Sequence, residues 1–402
     1  MLRYVAVLAL ISAAAGADSA PSEEINLDLP PAERWVALAG KYREDIVSRC
    51  QNMGKLYQRA LGDAVADRWV KAAPLDDELR AEFDGIVRAV NHPDVTRHCL
   101  VLTDMWQAVD APSFGCTGLL AAMPNGTVVH GRNIDYDMLM MVRESVATGA
   151  GLGGSTLFDG VFTRGGKPVA EFLAFAGSLG VTTGMRFGAY SVNSNARLKN
   201  NRMMDNLRAH EAGGENFPWV IRKMLQTVPD FESAVSMIET TEVNAPNYFI
   251  FAGAGPYQGA VVTKDRLGTH HPWTPPTQRL DQAKGIWHLV QTNDDLLNPP
   301  DDRRRGAALV KLSSSQQSEV SMDFVQRQMQ SPPVMNSDTL LTWVADPHAG
   351  THRLVMKPPE AMAGGLLSKA AHRLLNIPMP QEFPRGPTQK GKAAFRGTLL
   401  TE

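Results

Sequence analysis

Between residues 115 and 136 the chain spells out a β-hairpin around one cysteine. Gly115-Cys116-Thr117-Gly118-Leu119-Leu120-Ala121-Ala122 is followed by Met123-Pro124-Asn125-Gly126, then by Thr127-Val128-Val129-His130-Gly131-Arg132-Asn133-Ile134-Asp135-Tyr136. An apolar run meets an Asn-Gly pair, which readily supplies the positive φ of a tight turn. The returning β-branched run carries Arg132 and Asp135 back beside Cys116. A thiol, a guanidinium and a carboxylate therefore converge at one end of two paired strands.

At 402 residues the chain is long enough for one large domain or two. A formal net charge of -2 shows no basic excess for nucleic acid and no acidic solvating tail. Arg3 precedes an apolar run from Tyr4 to Ala14, and Ala15-Gly16-Ala17 offers a small-residue cleavage site. That is the layout of a secretory signal peptide over residues 1–17. Beyond it no apolar run of about 18 residues occurs, so no membrane span is expected. In an oxidising compartment Cys50 and Cys99 are the pair left to bridge if Cys116 is a nucleophile that must stay free; two unpaired buried thiols are the alternative. A bridge closing such a loop contributes on the order of 3–4 kcal/mol.

Before Cys116 the pattern is mostly helical. Asn26-Leu27-Asp28-Leu29-Pro30-Pro31 is extended, and Trp35, Leu38, Tyr42 and Ile46 then recur at helical spacing toward Leu61. A second helix is expected from Asp76 to Val90 and a third from Asp94 to Val109. After Cys116 strands dominate, with Gly165-Gly166 as a second hairpin turn. Helical spacing returns from Met203 to Thr241, where Asp230 suits an N-cap. Another hairpin spans Tyr248 to Thr263, a strand runs from Trp287, a helix follows Arg303, and a last hairpin turns near Asp346 to Gly350. Gly149 to Gly154 fits a dinucleotide fingerprint in spelling only, without the strand-turn-helix setting, and reads as a loop. His270 and His271 are adjacent, which is poor spacing for a metal site. His348 and His352 read as solvated imidazoles of a turn. The tail, residues 378–402, is rich in Pro, Gly and Lys and is expected to be disordered.

The hairpin with His130-Gly131-Arg132-Asn133-Ile134-Asp135 resembles the acid ceramidase and N-acylethanolamine-hydrolysing acid amidase family of N-terminal-nucleophile hydrolases. The Asn26–Pro31 string resembles the start of acid ceramidases. Phe175-Ala176-Gly177, Gly180 and Thr183-Gly184, running into Asn195-Ala196-Arg197, resemble a further family segment, except that Ala196 stands where acid ceramidases carry a Glu. Val290-Gln291-Thr292-Asn293 with Asp301-Asp302-Arg303-Arg304 is similar to the family's second signature. The resemblance implies an α+β fold, an αββα sandwich with a mostly helical N-terminal α subunit. That division gives residues 18–115 to the α subunit and residues 116–377 to the catalytic β subunit. It implies self-cleavage before Cys116, which then supplies both thiol and α-amine. By the same resemblance Arg132 favours the thiolate, Asp135 orients the amine, Asn293 donates to the oxyanion and Arg303 completes the polar network. Met138, Met140 and Asn195 would contact substrate, flexible Met side chains suiting a lipid tail. No metal and no cofactor are implied.

Amide hydrolysis needs an activated nucleophile, a proton donor for the leaving amine and oxyanion stabilisation. A mid-chain thiol lacks a dedicated base, whereas a freed N-terminal Cys carries an α-amine with a pKa of about 7.7–8.0. The resemblance therefore implies a lipid amidase. Ceramide, cut to sphingosine and fatty acid, is the first substrate and an N-acylethanolamine the alternative. Its partners would be the lipid amide, a transient membrane-surface contact and the two subunits of one cleaved chain, in the lysosome or outside the cell. A Cys-His hydrolase using His130, or a lipid-binding protein without catalysis, are the competing readings. Singly, Arg132 and Asp135 also read as a cross-strand ion pair. Asn125-Gly126-Thr127 is a glycosylation sequon as well as a turn.

Overall fold

The computed structural model describes residues 20–109, 114–136, 157–268, 276–296 and 302–356. The expected signal peptide, Met138, Met140, Gly149 to Gly154, His270, His271 and the tail 378–402 lie outside these described residues. The first element is a strand, β1 (Ser22–Asn26), which pairs in parallel with Asp159 to Thr163. Helices follow: α1 (Val36–Lys41), α2 (Arg43–Arg49), α3 (Lys55–Leu61), α4 (Asp63–Ala72), α5 (Asp77–Val90), α6 (Arg97–Asp104) and α7 (Trp106–Val109). The single helix expected up to Leu61 is thus in pieces: it breaks at Tyr42, whose ψ of 28° leaves the helical range, and Cys50–Gly54 widens into a π turn. That turn brings Cys50 to Cys99 with Cα atoms 5.8 Å apart, and the disulfide is formed. A Cβ on Gly54 would lie 2.8 Å from Cys99 Sγ, so only glycine admits the close approach. Gly62, at φ +78°, ends α3 and starts α4. Asp76, expected as the first residue of this helix, caps α5 by accepting from Leu79 N at 2.8 Å.

Strands β2 (Phe114–Ala122) and β3 (Val128–Tyr136) form the expected hairpin, with Cys116 opposite Ile134 and Gly115 opposite Asp135. Then come β4 (Leu157–Arg164), β5 (Lys167–Phe175), β6 (Thr183–Arg186), β7 (Tyr190–Ala196), α8 (Met203–Glu211), α9 (Phe217–Thr227) and α10 (Phe231–Thr240). The chain continues through β8 (Asn247–Gly253), β9 (Gly259–Lys264), β10 (Gln278–Arg279), β11 (His288–Gln291), α11 (Arg303–Ser313), α12 (Met322–Met329), β12 (Thr339–Asp346) and β13 (Thr351–Met356). Eight strands form one sheet in the order β1-β4-β5-β6-β7-β8-β9-β10, and five form a second in the order β11-β2-β3-β12-β13.

Strand alternation sorts the central hairpin into two faces. Leu119, Ala121 and Val129 pack outward with Ala308, Leu312 and Val325 of α11 and α12. Leu120 and Val128 face inward onto Tyr248, Ile250 and Val261 of the larger sheet. Helices α1 to α10 and the outer face of that sheet share the largest core. The layers are helix, sheet, sheet, helix, which is the αββα sandwich the resemblance implies. Among the described residues no helix is long and apolar enough to cross a membrane.

The segment before Cys116 is welded to the segment after it. Beyond β1, Glu82 is fully buried and pairs with Arg222 at 2.5 Å and Arg34 at 3.2 Å. Asp104, buried at the end of α6, accepts from Gly180 N at 2.9 Å, from Trp219 Nε1 at 2.6 Å and from the Ser178 hydroxyl. Removing that acceptor leaves the Gly180 N–H and the Trp219 Nε1–H unmatched, each orphan costing about 1–3 kcal/mol, while the Ser178 hydroxyl keeps the Gly180 carbonyl at 3.4 Å. Asp104→Ala is therefore expected to lower unfolding stability by at least ~2 kcal/mol in urea melts. A loss below ~1 kcal/mol would contradict this account of the junction.

Candidate active site

Cys116 lies one residue inside β2 from Gly115, its side chain on the inner face of the smaller sheet. It is 2% exposed and is the free cysteine of the chain. Burial pushes the thiol pKa up, and the nearby Arg132 guanidinium opposes that rise. Arg132 Nη2 stands 3.5 Å from Sγ, while Nη1 donates to Thr183 Oγ1 at 2.5 Å and to the Thr182 carbonyl. The thiol is thus protonated at rest, with a fixed cation ready for a developing thiolate.

Asn293 reaches the same cysteine from the loop after β11. Its Oδ1 accepts from Cys116 N at 2.7 Å, and its Nδ2 donates to the Ala196 carbonyl at 2.8 Å. The family resemblance implies that its amide donates to the oxyanion. In this structure it is instead the oxygen that meets the cysteine, accepting the peptide N–H of the Gly115–Cys116 bond. The arginine of the network is Arg304, one position beyond the expected Arg303. Arg303 is exposed at the first helical position of α11. Arg304 is buried and donates to the Cys116 carbonyl at 3.3 Å, Asp135 Oδ2 at 2.9 Å, Asn293 Oδ1 at 2.9 Å and Asp302 Oδ2 at 2.7 Å. Asp135 accepts further from Thr339 Oγ1 at 2.6 Å and Asn336 Nδ2 at 3.0 Å. It abuts Gly115, whose added Cβ would lie 3.3 Å from Asp135 Oδ2. The helix period carries the signal that separates the two arginines. Arg304, Ala308 and Leu312 share one buried face at four-residue steps, and Arg303 falls off it.

His130 does not serve the thiol. Its Nδ1 meets Ser191 Oγ at 2.9 Å and its Nε2 meets Asn193 Oδ1 at 2.6 Å. Burial lowers its pKa to about 3, so the ring is neutral. Asn195 is also spent on structure: its Nδ2 donates to the Gln291 carbonyl at 2.9 Å and its Oδ1 accepts from Asn193. Ala196 is buried where acid ceramidases carry a Glu, and its carbonyl holds Asn293.

Among the described residues, Asp159, Glu171 and His352 place possible ligand atoms within 4.8 Å of one another. His352 spends one ring nitrogen on Asp159 at 2.8 Å and the other on Glu171. Although burial opposes protonation, the two carboxylates outweigh it and raise the ring's pKa to about 10. The group is an imidazolium between two carboxylates, tying β13 to β4 and β5. His352 is accordingly not a solvated turn residue. His348 is exposed, with Nδ1 on the Ala254 carbonyl at 2.9 Å.

Comparison with known proteins follows the same lines. Residues 18–75 match the family model described as the beta subunit of N-acylethanolamine-hydrolyzing acid amidase. The Rattus norvegicus N-acylethanolamine-hydrolyzing acid amidase is 27% identical over 333 residues, covering 81% of this chain and 85% of its own. The Homo sapiens acid ceramidase is 27% identical over 352 residues, covering 81% and 83%. The solved Caenorhabditis elegans N-acylethanolamine-hydrolyzing acid amidase ortholog superposes with a TM-score of 0.50 at 25% identity, covering 60% of this chain and 100% of its own. The chain is similar to both the acid amidases and the acid ceramidases. It has the N-terminal-nucleophile hydrolase fold, and its relatives are amidohydrolases, the enzyme class expected from the hairpin. The family-model match lies wholly before Cys116, in the stretch that the sequence reading assigns to an α subunit and that the family model labels beta.

Two measurements probe this geometry. Arg304→Ala is expected to slow any reaction at Cys116 at least 100-fold, through lost positioning of Asn293 and Asp135. Arg303→Ala should stay within about twofold of wild type on the same gel-based time course, as an exposed side chain does. The second concerns pH. The His130 pKa of about 3 lies below its ordinary 6.5, so the unfolded chain takes up the proton first as pH falls. Its contribution to stability is therefore lost progressively below pH 6.5, by about 1.4 kcal/mol per unit. Between pH 7 and 5, His130→Asn is expected to lose about 2 kcal/mol less than wild type in parallel urea melts.

Proposed function

We propose that the chain cuts itself between Gly115 and Cys116 and then works as a lipid amidase with Cys116 as nucleophile. One observation carries the reading: the Cys116 N–H, carbonyl and thiol are each held by a separate buried group, Asn293, Arg304 and Arg132. In the first step Sγ attacks the Gly115 carbonyl carbon and its proton passes to the Cys116 nitrogen. The C–N bond breaks, leaving Gly115 as a thioester on Sγ and the nitrogen as a free amine. Water hydrolyses the thioester, releasing the Gly115 carboxylate and restoring the thiol. Residues 18–115 and 116–377 then become the two subunits, held together by the contacts across their junction.

The freed amine takes the thiol proton, and the thiolate attacks the acyl carbon of a bound lipid amide. The ammonium returns the proton to the departing amine, and water cleaves the acyl thioester to free fatty acid. Arg132 stabilises the thiolate. Asn293 Oδ1 is placed to accept from the new amine, and Asp135, held by Arg304, supplies a fixed negative charge beside it. The Asn293 amide turns to the oxyanion once the peptide is cut. Arg304 takes the role expected of Arg303.

For the substrate we place an N-acylethanolamine first, because both the matched family model and the solved relative carry that name. Ceramide is the second reading, favoured by the acid ceramidase relatives and by the Asn26–Pro31 string. The working place is the secretory pathway, lysosomal or extracellular, with transient contact to a membrane surface that presents the lipid. Asn125, exposed in the hairpin turn, is open to a glycan there.

The test is fatty-acid release from an N-acylethanolamine and from ceramide, side by side, by wild type and Cys116→Ala. Wild type is expected to release fatty acid, faster from the ethanolamine lipid, and Cys116→Ala to lose at least 1000-fold, the scale of a lost nucleophile. Activity retained in Cys116→Ala would overturn the mechanism. A cleaved chain that binds both lipids and hydrolyses neither would leave a lipid-binding protein.

A further inference from the structure

Asn293 is delivered to Cys116 by a short loop after β11, residues 292–296, with no regular structure of its own. Side chains that never approach the thiol hold that loop. Arg197, at the end of β7 and 1% exposed, donates through Nε and Nη2 to the two carboxylate oxygens of Asp295, at 2.8 and 3.0 Å. Its Nη1 donates to Asp265, just past β9, at 2.6 Å. Tyr248 on β8 donates its hydroxyl to Asp295 Oδ1 at 2.6 Å. From the other side Arg305 donates to the carbonyls of Asp294 and Asp295 at 2.7 and 3.0 Å. Leu198 N donates to the Asn293 carbonyl at 3.1 Å.

We infer that Arg197 is a positioning residue for self-cleavage: by clamping Asp295 it fixes the loop so that Asn293 Oδ1 meets the Cys116 N–H. The inference rests on the self-cleavage proposed above. A guanidinium fork sets both distance and plane of the carboxylate it holds, which an ammonium does not. Asp265 anchors the third arm of the fork to the larger sheet, so the loop is referenced to a rigid layer. Only one residue separates Asp295 from Asn293, and little slack lies between clamp and contact. A displacement of about 1 Å at such a site is enough to cost 100-fold in rate. Burial works to raise the Asp295 carboxyl, but hydrogen bonds from Arg197 and Tyr248 outweigh it and hold the group below the ordinary carboxylate range. The clamp therefore stays charged in a mildly acidic compartment.

Removing a buried cation also weakens a fold, so a control with equal burial is needed. Arg222 pairs with buried Glu82 and lies outside this loop. The experiment follows conversion of whole chain to fragments on denaturing gels for wild type, Arg197→Gln, Arg197→Lys and Arg222→Gln, each well below its melting temperature. Crystal structures of Cys116→Ala with and without Arg197→Gln locate Asn293. The expected result is at least tenfold slower cleavage in Arg197→Gln, a smaller loss in Arg197→Lys, and a wild-type rate in Arg222→Gln despite its lower melting temperature. Asn293 Oδ1 is expected beyond 3.5 Å from the residue 116 nitrogen in the Arg197→Gln structure, the limit of a hydrogen bond. If Arg197→Gln does not fold, Arg197→Lys in the same two measurements decides. Unchanged cleavage, or slow cleavage with Asn293 still in place, would overturn the inference. A wild-type chain that stays whole would remove the proposed function instead, and the Asn293 position would still show whether Arg197 holds the loop.

Discussion

A buried guanidinium must find partners, and in this protein the one at Arg304 decides where four pieces of chain meet. Its donors are spent on the Cys116 carbonyl in β2, Asp135 in β3, Asn293 in the following loop and Asp302 at the start of its own helix. Leaving such a charge unpaired in the interior would cost several kcal/mol, so none of the four pieces can drift without penalty. Gly115 belongs to the same constraint. A Cβ there would stand 3.0 Å from Arg304 Nη1 and 3.2 Å from Asp135 Cβ, so the residue before Cys116 is small because the charged pair is packed against it.

Much of the architecture was legible because its signals are local. The Asn125-Gly126 turn, with Gly126 at φ +90°, and the Gly165-Gly166 turn, at +57° and +69°, mark hairpins from a few residues each. Asp230 caps its helix as expected, and the helix expected from Asp76 begins at Asp77 with Asp76 as its cap. What escaped depends on distant chain. Ser22–Asn26 becomes a strand only because Asp159 to Thr163 offers a parallel edge. The break at Cys50–Gly54 follows from the approach of α6 and its cysteine, which no periodicity in α2 or α3 encodes. Helix α4 went unread beside Gly62, whose positive φ ends one helix and permits the next.

The site was legible in residue type more than in pose. Cys116, Arg132 and Asp135 come together because one hairpin carries all three, so register alone brings them close. Asn293 and Arg304 arrive from loops and helix ends, where orientation is set by tertiary contacts. Hence the arginine lay one position beyond Arg303, and the Asn293 amide is on Ala196 rather than turned to an oxyanion. Asn195 looked like a substrate contact and proves to brace the Gln291 carbonyl. The two inner-face asparagines and His130 form a neutral polar layer, so the charged chemistry is confined to the end of the hairpin where Cys116 begins.

That confinement makes one claim central: the bond before Cys116 is the one the site is built to break. Intact mass and N-terminal sequencing of the purified chain, before and after incubation at about pH 5, test it most directly; that pH lies below the ordinary amine and thiol ranges. The account predicts two fragments, the larger beginning at Cys116, and a Cys116→Ala chain that stays whole. A catalytically active chain that remains continuous across Gly115 and Cys116 would contradict it.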